Sequence, residues 1–455
     1  MSTLAEILSA TGGELERWGA GPFLSVSTDS RTAQPGDVFV ALGGPRFDGN
    51  QFVSGALQRG ATAAIVSDGV VPSPGSAAWI RVPDGLRALG DLAAARRRSL
   101  TAEIVGVTGS NGKTTTKDMI AAVLGATGHK VAKSVGNENN LIGLPRTILR
   151  LAGDERFAVL EMGMNHAGEI WRLAQIARPH VGVITNVGPA HLEGLGSLAN
   201  VAAAKEELAL ALPSGATLVV NGDDPRLAEA AARFSGRKIS VGSSGTVRAT
   251  AVTAIEDGQH LEIELERSKI SVRLNARGAH NVQNALLAAA TGHALGLDAE
   301  TIARGLEAFR APPMRLEIVR LPNGARILND AYNANPASME AALIALSAEP
   351  AVRRIAVLGD MWELGVEEAR YHREVGAAAA RARVDWLVAV GKNADEMAAG
   401  ALGAGIRGEI VSRCSSANEA ADLLAERLRD HDVVLVKGSR GARMETVVER
   451  LRGER

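Results

Sequence analysis

The alternation of two kinds of segment limits what this chain can fold into more than any other feature. Short apolar runs rich in valine and isoleucine, such as residues 181–185 and 355–358, alternate with alanine- and leucine-rich stretches of helical pattern. Strands that alternate with helices in this way are typical of parallel sheets joined by crossover helices. The sequence therefore predicts an α/β fold throughout.

The pattern falls into three segments. A length of 455 residues predicts about three domains. Residues 1–83 predict a small N-terminal α/β domain, and residues 84–313 predict a larger central domain. The central segment ends at Pro312-Pro313, where fixed φ angles and missing donors favour a stiff linker. Residues 314–455 predict a Rossmann-like open sheet, but no G-x-G-x-x-G motif follows its first strand, so no dinucleotide site is expected there.

Charge and cysteine content exclude several classes of protein. The formal net charge is −1 and there is no long basic block, so neither nucleic acid nor a membrane surface is an expected partner. The single cysteine, Cys414, excludes an internal disulfide, and no apolar run is long enough to span a bilayer. Thr3 and Glu6 predict a capped first helix rather than a signal peptide. We therefore expect a cytoplasmic monomer that acts on small molecules.

A glycine-rich turn in the central segment predicts a site for ATP or GTP. It follows an apolar run at residues 104–105 and precedes a helical pattern at residues 118–124. Backbone N–H groups in such a turn can converge on phosphate oxygens, while a lysine adds charge and a threonine hydroxyl can ligate Mg²⁺. Val107 stands where the standard P-loop has its first glycine, and a plain turn with a surface lysine is the alternative. The predicted nucleotide-binding residues are Thr108, Gly109, Ser110, Asn111, Gly112, Lys113, Thr114 and Thr115.

Polar residues just after the predicted strands are further candidates, because ligands of open α/β sheets collect beyond the carboxyl ends of the strands. Glu161 follows the run at residues 157–160 and can hold Mg²⁺, although a helix-capping carboxylate is the alternative. His191 follows the next run, and a structural hydrogen bond explains it equally well. Lys205 lies in a helical stretch whose spacing by itself favours a solvated lysine paired with a neighbouring glutamate.

Two further groups of polar residues lie where the central segment meets the third. His280, Asn281 and Asn284 adjoin an alanine-rich helical pattern, where they can cap the helix or present amides to a nucleotide base. Arg315 and Asp330 can reach ribose or phosphate groups from the third segment, or form an ordinary interdomain ion pair. Both interpretations stay open for each group.

Taken in order, these motifs resemble the Mur ligase family, ATP-dependent enzymes that build the peptide of bacterial cell-wall precursors. The resemblance covers essentially the whole chain, and the family's own phosphate loop has the spacing found here. The residues that carry it are Ser27-Thr-Asp-Ser-Arg31, residues 36–40 and 108–115, Glu161-Met-Gly163, His191, Lys205, His280-Asn281, Asn284, Arg315 and Asp330. The resemblance implies a ligase of peptidoglycan synthesis, and so of cell-wall biogenesis, cell shape and division.

Four further stretches look like the family members that join D-alanyl-D-alanine to UDP-N-acetylmuramoyl-tripeptide. They are residues 136–143, 329–339, 358–365 and 436–445. Members that add diaminopimelate or lysine carry an Asp-Asn-Pro-Arg type motif in the last domain, whereas the similar string Asp223-Asp-Pro-Arg226 lies in the central segment and predicts a turn. Folylpolyglutamate synthase begins with the ATPase, so residues 1–83 count against it. A nucleotide-switched regulatory protein on the same fold is the remaining alternative.

The resemblance also implies a mechanism. The terminal carboxylate of the tripeptide attacks the γ-phosphate of ATP, and the amine of the dipeptide then attacks the resulting acyl phosphate. Lys113 and two Mg²⁺ ions would screen the repulsion between these anions. The implied metal ligands are Thr114, Glu161, His191 and Lys205. Lys205 would be the family's carbamylated lysine, because an ammonium repels Mg²⁺ whereas a carbamate offers oxygen ligands.

The resemblance also implies three binding regions. His280, Asn281, Asn284, Arg315 and Asp330 would hold adenosine, with the last two closing over it from the third domain. The uridine diphosphate and the sugar or peptide of the precursor would contact Ser27, Thr28, Asp29, Ser30, Arg31, Asn139 and Asn140. The candidates for the dipeptide are Tyr332, Asn333, Asn335, Ser439 and Arg440. Residues 329–336 are dense in amides, which favours a ligand loop over a turn, whereas a plain surface turn is the alternative around Arg440.

Overall fold

The computed structural model describes residues 3–44, 47–72, 75–256 and 258–453. Within these ranges the chain forms three large sheets of five, nine and six strands, covered by helices, together with a two-stranded hairpin. The predicted α/β fold is therefore confirmed. No helix in the described ranges combines the length and the apolar character that a membrane crossing needs.

The N-terminal sheet has five strands, and its first helix has the predicted capping box between Thr3 and Glu6. In chain order the elements are α1 (Leu4–Thr11), β1 (Glu14–Arg17), β2 (Ser25–Ser27), β3 (Asp37–Val40), β4 (Gly43–Gly44), β5 (Phe47–Asp48), α2 (Val53–Gln58), β6 (Ala63–Val66), β7 (Ala78–Arg81) and α3 (Gly85–Arg98). The strand order is β1-β7-β6-β3-β2, with only β1 antiparallel to its neighbour. Leu89 and Leu92 of α3 belong to the apolar core of this sheet.

The central sheet has nine strands. Its elements are β8 (Glu103–Thr108), α4 (Lys113–Gly125), β9 (Val131–Lys133), α5 (Gly143–Leu149), β10 (Phe157–Glu161), α6 (Glu169–Ala177), β11 (Val181–Ile184), α7 (Leu192–Leu195), α8 (Leu198–Ala211), β12 (Thr217–Asn221), α9 (Pro225–Arg233), β13 (Arg237–Val241), β14 (Val247–Ile255), β15 (Gly258–Leu265), β16 (Ser268–Leu274), α10 (Ala279–Ala294) and α11 (Ala299–Ala308). The order is β16-β15-β14-β13-β12-β11-β8-β10-β9. The antiparallel extension β14-β15-β16 differs from the expected run of parallel strands.

The two faces of this sheet are covered by different helices. One core contains Met119 of α4 and Leu287 of α10, and the other contains Ile170 of α6 and Leu208 of α8. In the sheet, β8 lies between β10 and β11, and all three are parallel. Their carboxyl ends, and the polar residues that follow them, therefore meet at one edge of the sheet.

The C-terminal sheet has the predicted Rossmann-like form. Its elements are β17 (Glu317–Arg320), β18 (Arg326–Asp330), α12 (Pro336–Ser347), β19 (Arg353–Gly359), α13 (Glu368–Arg381), β20 (Trp386–Val390), α14 (Ala394–Gly403), β21 (Val411–Cys414), α15 (Ala417–Arg427), β22 (Asp432–Lys437) and α16 (Glu445–Arg452). The order is β17-β18-β22-β19-β20-β21, with an antiparallel strand at one edge. Met339, Val375 and Met397 of α12 to α14 pack on one face, and Leu424 and Val447 of α15 and α16 pack on the other.

Candidate active site

The phosphate loop joins β8 to α4, and two of its glycines are required by its shape. Gly112 has a φ of 77° as the N-cap of α4, and a Cβ there would lie 2.5 Å from Asn284 Oδ1. Gly109 has a φ of 146°, and a Cβ there would lie 1.8 Å from Thr185 Oγ1. Side chains are excluded at both positions, because L-residues rarely adopt these φ angles and neighbouring atoms fill the space. A bare backbone at a helix N-terminus is the arrangement that binds phosphate.

Hydrogen bonds to the segment after β11 hold the loop in shape. Asn111 N donates to Asn186 Oδ1 over 2.9 Å, and Asn186 Nδ2 donates to Asn111 O over 3.1 Å. Ser110 Oγ donates to a backbone carbonyl of the same segment over 2.9 Å. Thr108 and Thr115 are buried at the end of β8 and in the first turn of α4. The loop is therefore preorganised by the strand that lies beside it.

Lys113 folds back over the loop that precedes it. Its Nζ donates to Gly109 O over 2.8 Å and to Ser110 O over 3.2 Å, and the residue is half-buried. Desolvation lowers its pKa, while the nearby Glu161 carboxylate opposes that shift. The ammonium thus lies at the mouth of the loop, where phosphate oxygens can replace its two carbonyl partners.

Thr114 connects the phosphate loop to a buried carboxylate and to the C-terminal domain. Its Oγ1 donates to Glu161 Oε2 over 2.9 Å and accepts from Arg315 Nη2 over 3.0 Å. The second carboxylate oxygen of Glu161 accepts from Asn139 Nδ2 over 2.9 Å. Glu161 ends β10, and only 3% of its surface is exposed. Three elements from two domains therefore meet at one hydroxyl group.

Lys117 is a buried site residue that the sequence reasoning missed. Its Nζ donates to Ser134 O over 2.9 Å and lies 3.9 Å from Glu161 Oε2 and 3.6 Å from Asp118 Oδ1. The signal was its position four residues after Lys113, which places both lysines on one face of the helix. Lys117 therefore supplies the positive charge that a buried carboxylate at position 161 requires.

Thr114 and Glu161 are the predicted metal ligands that the structure brings together. No group of three or more His, Cys, Asp or Glu side chains in the described ranges is placed to hold a metal ion. Mg²⁺ commonly binds through one or two carboxylates together with substrate phosphates and water. One carboxylate beside a hydroxyl at a phosphate loop fits that ion. His191 and Lys205, the other predicted ligands, lie in different surroundings.

His191 contacts the C-terminal domain. Its Nδ1 lies 2.7 Å from Glu363 Oε2, in the loop that follows β19. This contact lowers the pKa of the Glu363 carboxyl, and the charge of Lys113 lowers it further. Glu363 was not predicted as a site residue, although it lies in the stretch 358–365 that carried the family resemblance. The pair joins the two domains beside the phosphate loop.

Lys205 is fully buried in α8, so its interpretation as a solvated lysine paired with a neighbouring glutamate is wrong. Its Nζ has no hydrogen-bond partner among the residues that the structure describes. Burial, followed by repulsion from Lys113, holds its pKa well below the usual value for lysine. Lys205 therefore releases its proton more readily than an ordinary lysine, and the neutral amine is a nucleophile.

The start of α10 contacts the phosphate loop from the other side. Asn284 Oδ1 accepts from Thr116 Oγ1 over 3.1 Å, and Asn284 Nδ2 donates to Asn281 Oδ1 over 3.1 Å. Asn281 in turn donates to Arg277 O over 2.8 Å. Both asparagines are buried, and neither caps the helix, because no side chain makes an N-cap hydrogen bond there. His280 is half-buried, and desolvation lowers its pKa.

Arg315 and Asp330 do not pair with each other. The Arg315 guanidinium carbon lies 4.2 Å from the ring centre of Tyr332, in addition to its bond to Thr114. Asp330 Oδ2 accepts from Lys437 Nζ over 2.6 Å, within the C-terminal domain. The charges of Asp330 and Lys437 both act on His280, whose pKa the first raises and the second lowers. Among the described residues Asp330 pairs within its own domain and Arg315 contacts an uncharged hydroxyl group, so neither forms the alternative ordinary interdomain ion pair.

The predicted precursor-binding residues lie in two places. Ser27 ends β2, and the turn that follows it contains Thr28, Asp29, Ser30 and Arg31. Its ion pair is internal, because Arg31 donates to both carboxylate oxygens of Asp29 and lowers the pKa of that residue to about 2. Asn139 lies at the buried Glu161, and Asn140 Oδ1 accepts from Gly143 N at the start of α5. The turn and the two asparagines are therefore not joined into one site by hydrogen bonds between the described residues.

The predicted dipeptide residues lie at the carboxyl edge of the C-terminal sheet. Asn335 caps α12, and its Nδ2 donates to Asn111 Oδ1 of the phosphate loop over 2.7 Å. Ser439 is buried and links neighbouring loops by donating to Ala334 O and accepting from Trp362 N. The other three are partly or fully exposed, namely Tyr332, Asn333 and Arg440. Asn335 thus forms a second direct contact between the C-terminal domain and the loop.

A cavity of about 840 Å³ opens beside these loops. It lies at the carboxyl ends of β19, β20 and β21, and Asp360, Lys392 and Arg443 are among the residues that line it. None of the five predicted dipeptide residues lines the cavity. The general rule that ligands bind beyond the strand ends would have identified these loops. The predicted dipeptide residues instead come mostly from the asparagine-rich stretch at residues 329–336.

Comparison with known proteins places this geometry in a family. Three domain families match the sequence: Mur ligase family, catalytic domain, at residues 23–97; Mur ligase middle domain, at residues 107–292; and Mur ligase, glutamate ligase domain, at residues 314–440. The chain is 39% identical over 428 residues to UDP-N-acetylmuramoyl-tripeptide--D-alanyl-D-alanine ligase of Bacillus subtilis (strain 168). That match covers 94% of this chain and 92% of the relative.

Two solved structures are similar over nearly the whole chain. MurF from Acinetobacter baumannii has a TM-score of 0.92 at 32% identity, covering 99% of this chain and 98% of that one. MurF ligase from Thermotoga maritima in complex with ADP has a TM-score of 0.86 at 30% identity, covering 95% and 98% of the two chains. The protein described here belongs to the Mur ligase family.

Proposed function

We propose that this protein joins D-alanyl-D-alanine to UDP-N-acetylmuramoyl-tripeptide in an ATP-dependent reaction that forms the pentapeptide precursor of peptidoglycan. The relative from Bacillus subtilis is named for that reaction, and it matches almost the whole chain. The observation that carries the proposal is the convergence on Thr114, where the phosphate loop, the buried Glu161 and Arg315 of the C-terminal domain meet. Such a junction can align a triphosphate from one domain with a nucleophile held by another.

The residues at this junction have distinct proposed roles. The backbone N–H groups from Gly109 to Gly112 would bind the β- and γ-phosphates, and Lys113 would neutralise charge as the carboxylate attacks. Thr114 and Glu161 would hold Mg²⁺, which supplies charge stabilisation at the transferred phosphoryl group. Asn284 would contact adenosine, with Arg315 and Asp330 on the opposite side. The tripeptide carboxylate would take the γ-phosphoryl group of ATP and release ADP. The amine of the dipeptide would then attack the acyl phosphate, so that the amide forms as phosphate leaves.

Lys205 is proposed to act as a carbamate. A buried amine with a lowered pKa and no hydrogen-bond partner among the described residues fits a group that reacts with CO₂. The carbamate would convert a cation, which repels Mg²⁺, into an oxygen ligand. His191 would also be a ligand of this metal ion, in place of its present contact with Glu363. These assignments remain predictions.

The three segments are proposed to divide the substrates. Residues 1–83 would bind the uridine end of the precursor, residues 84–313 would bind ATP, and residues 314–455 would bind the dipeptide. The 840 Å³ cavity is the proposed seat of the dipeptide, because it lies at the strand ends and because Arg443 is an exposed guanidinium suited to a carboxylate. The expected monomeric state and cytoplasmic location remain predictions.

The test is phosphate release from ATP and Mg²⁺ with UDP-N-acetylmuramoyl-tripeptide. We expect release only when D-alanyl-D-alanine is also present, together with a pentapeptide product of the matching mass. Diaminopimelate with the dipeptide precursor is the matched substrate control. Release with that pair alone would assign the protein to the preceding reaction, the addition of diaminopimelate. Release with no carboxylate substrate at all would favour a nucleotide-switched regulatory protein.

A further inference from the structure

A second polar cavity lies at the opposite end of the central sheet. It has a volume of about 600 Å³ and is lined by Arg97, Arg98, Arg178, His180 and the turn at residues 213–216. These residues precede β8, β11 and β12, whereas the phosphate loop follows the carboxyl end of β8. A six-residue strand is roughly 20 Å long. The cavity is therefore separate from the ATP site.

The lining of this cavity has an uncompensated positive charge. It contains three arginines and no acidic residue. Arg98 and Arg178 are exposed, and no carboxylate in the described part of the chain forms an ion pair with either. Arg233, by contrast, is an exposed arginine that is paired with Glu206. A cluster of like charges without counter-ions attracts anions to the cavity.

Arg97 is buried in the wall of the cavity without a carboxylate partner among the described residues. Its Nε donates to Ala177 O over 2.7 Å, and its Nη1 donates to Leu100 O over 3.0 Å. Desolvation lowers its pKa, and the neighbouring Arg178 lowers it further. A buried cation that is repelled by a second cation is energetically unfavourable unless an anion binds beside them.

Arg178 has a strained backbone. Its φ is 46°, in the left-handed region that disfavours residues with a Cβ. It follows α6 directly, and glycine is the residue that would relieve this strain. Strain at a non-glycine residue is a reason to look for a function of its side chain.

His180 adds a neutral donor to the cavity. Its Nδ1 accepts a hydrogen bond from Ile104 N over 2.8 Å, so the neutral ring carries its proton on Nε2. Desolvation and then the Arg97 charge lower its pKa; Glu103 raises it and Arg156 lowers it further. The ring is therefore a hydrogen-bond donor at neutral pH without adding a further cation.

We propose that this cavity binds a soluble phosphate-bearing anion with a diphosphate group, through Arg98, Arg178 and His180. Planar guanidinium groups match phosphate oxygens with paired hydrogen bonds. A volume of about 600 Å³ is in the range of ligand pockets and exceeds what a single phosphate fills. Bound anion would also remove the repulsion between Arg97 and Arg178.

The test is calorimetric titration of the full-length protein with pyrophosphate after saturation with ADP, which occupies the phosphate loop. We expect one binding event in the original protein. The double variant Arg98→Ala/Arg178→Ala should lose affinity by tenfold or more, because each charge-assisted hydrogen bond contributes about that factor. Arg383→Ala is the matched control, since Arg383 is also exposed and has a φ of 54° after a helix. Its affinity for pyrophosphate should not change.

Several outcomes would overturn the proposal. They are the absence of pyrophosphate binding, an equal loss in Arg383→Ala, or binding to phosphatidylglycerol vesicles without binding to pyrophosphate. Folding is checked without ligand, where Arg178→Ala should melt no lower than the original protein, because a like-charge repulsion has been removed. If it melts lower, Arg98→Ala alone decides the matter, and unchanged affinity in that variant would refute the site.

Discussion

The two faces of the central sheet bury a lysine in different ways. Lys117 lies on α4 and has a carbonyl and two carboxylates near its ammonium. Lys205 lies on α8, on the opposite face, and its Nζ has no hydrogen-bond partner in the described ranges. A buried ammonium is unfavourable unless it is paired and hydrogen-bonded. Lys117 meets that condition and Lys205 does not. Lys117 is therefore suited to a structural role as a charged partner, and Lys205 to a chemical role as a neutral amine.

A third lysine connects the two. Lys113 begins α4, and its charge lowers the pKa of Lys205 while Glu161 raises the pKa of both. Glu161 also lies 3.9 Å from Lys117 Nζ. One carboxylate therefore interacts with three lysines whose surroundings differ, and each can be removed separately.

The largest expected effect comes from removing Lys113, the half-buried member of the three. Lys113→Ala should lower phosphate release by 10²–10³-fold or more, about the cost of removing one preorganised donor to a developing negative charge. Lys130→Ala is the control, because Lys130 is an exposed lysine paired with Asp154 outside the site. Phosphate release is measured with both substrates present. Activity that survived in Lys113→Ala would show that the phosphate loop has been assigned wrongly.

Lys205→Ala should also lower turnover, by about 10²-fold or more, if its carbamate holds a metal ion. Added bicarbonate should not restore activity, because the amine that carries the carbamate is gone. A short-chain acid such as propionate should restore part of it by placing a carboxylate in the vacated space. The same acid should not rescue Lys117→Ala, whose amine interacts with existing carboxylates. Full activity in Lys205→Ala would refute the carbamate.

The phosphate loop could be predicted because its information is local. Strand, glycine turn, lysine and helix follow one another within about fifteen residues, and the structure has them in that order. The surroundings of Lys205 depend on tertiary packing, and the prediction of a solvated side chain was wrong. A signal was nevertheless present, since Val201 and Leu208 lie four residues before and three after it. Both are buried, so the helical period places Lys205 on the apolar face.

The antiparallel extension was missed for a different reason. Leu261, Ile263 and Leu265 alternate with polar residues and are buried in β15, which is the period of a half-covered strand. The expectation of parallel strands throughout left no place for it. Contacts between domains, such as Asn335 with Asn111, could not be predicted either, because they depend on how separate sheets are arranged.

Substitution by methionine should separate the two buried lysines by stability. Lys117→Met removes one partner from a buried set of charges and should destabilise the protein by about 3–5 kcal/mol. Lys205→Met replaces an unpaired buried ammonium with an apolar side chain of similar length and should be neutral or stabilising. Urea unfolding in metal-free, CO₂-free buffer measures both. Equal destabilisation by the two substitutions would show that Lys117 and Lys205 do not differ as a paired and an unpaired buried lysine.

The smallest expected effect is a dependence of stability on pH. The pKa of folded Lys205 lies well below its usual value, so between that pKa and about 10.4 the unfolded chain binds a proton that the folded protein has released. Stability relative to Lys205→Met should therefore rise with pH in this window, by up to about 1.4 kcal/mol per pH unit, and level off above it.

Lys130 should give the opposite change of stability with pH within the same protein. Its ion pair with Asp154 raises its pKa, so the contribution of that pair is present below the unfolded pKa and lost as pH rises through the folded one. Stability relative to Lys130→Met should fall as pH rises. Unfolding midpoints from pH 7 to 11 in CO₂-free buffer test both signs together. If stability relative to Lys205→Met does not change with pH in that range, the Lys205 amine is not the titrating group, as expected if the carbamate persists without added CO₂. If that stability falls as pH rises, the result contradicts the burial of Lys205 as an unpaired amine.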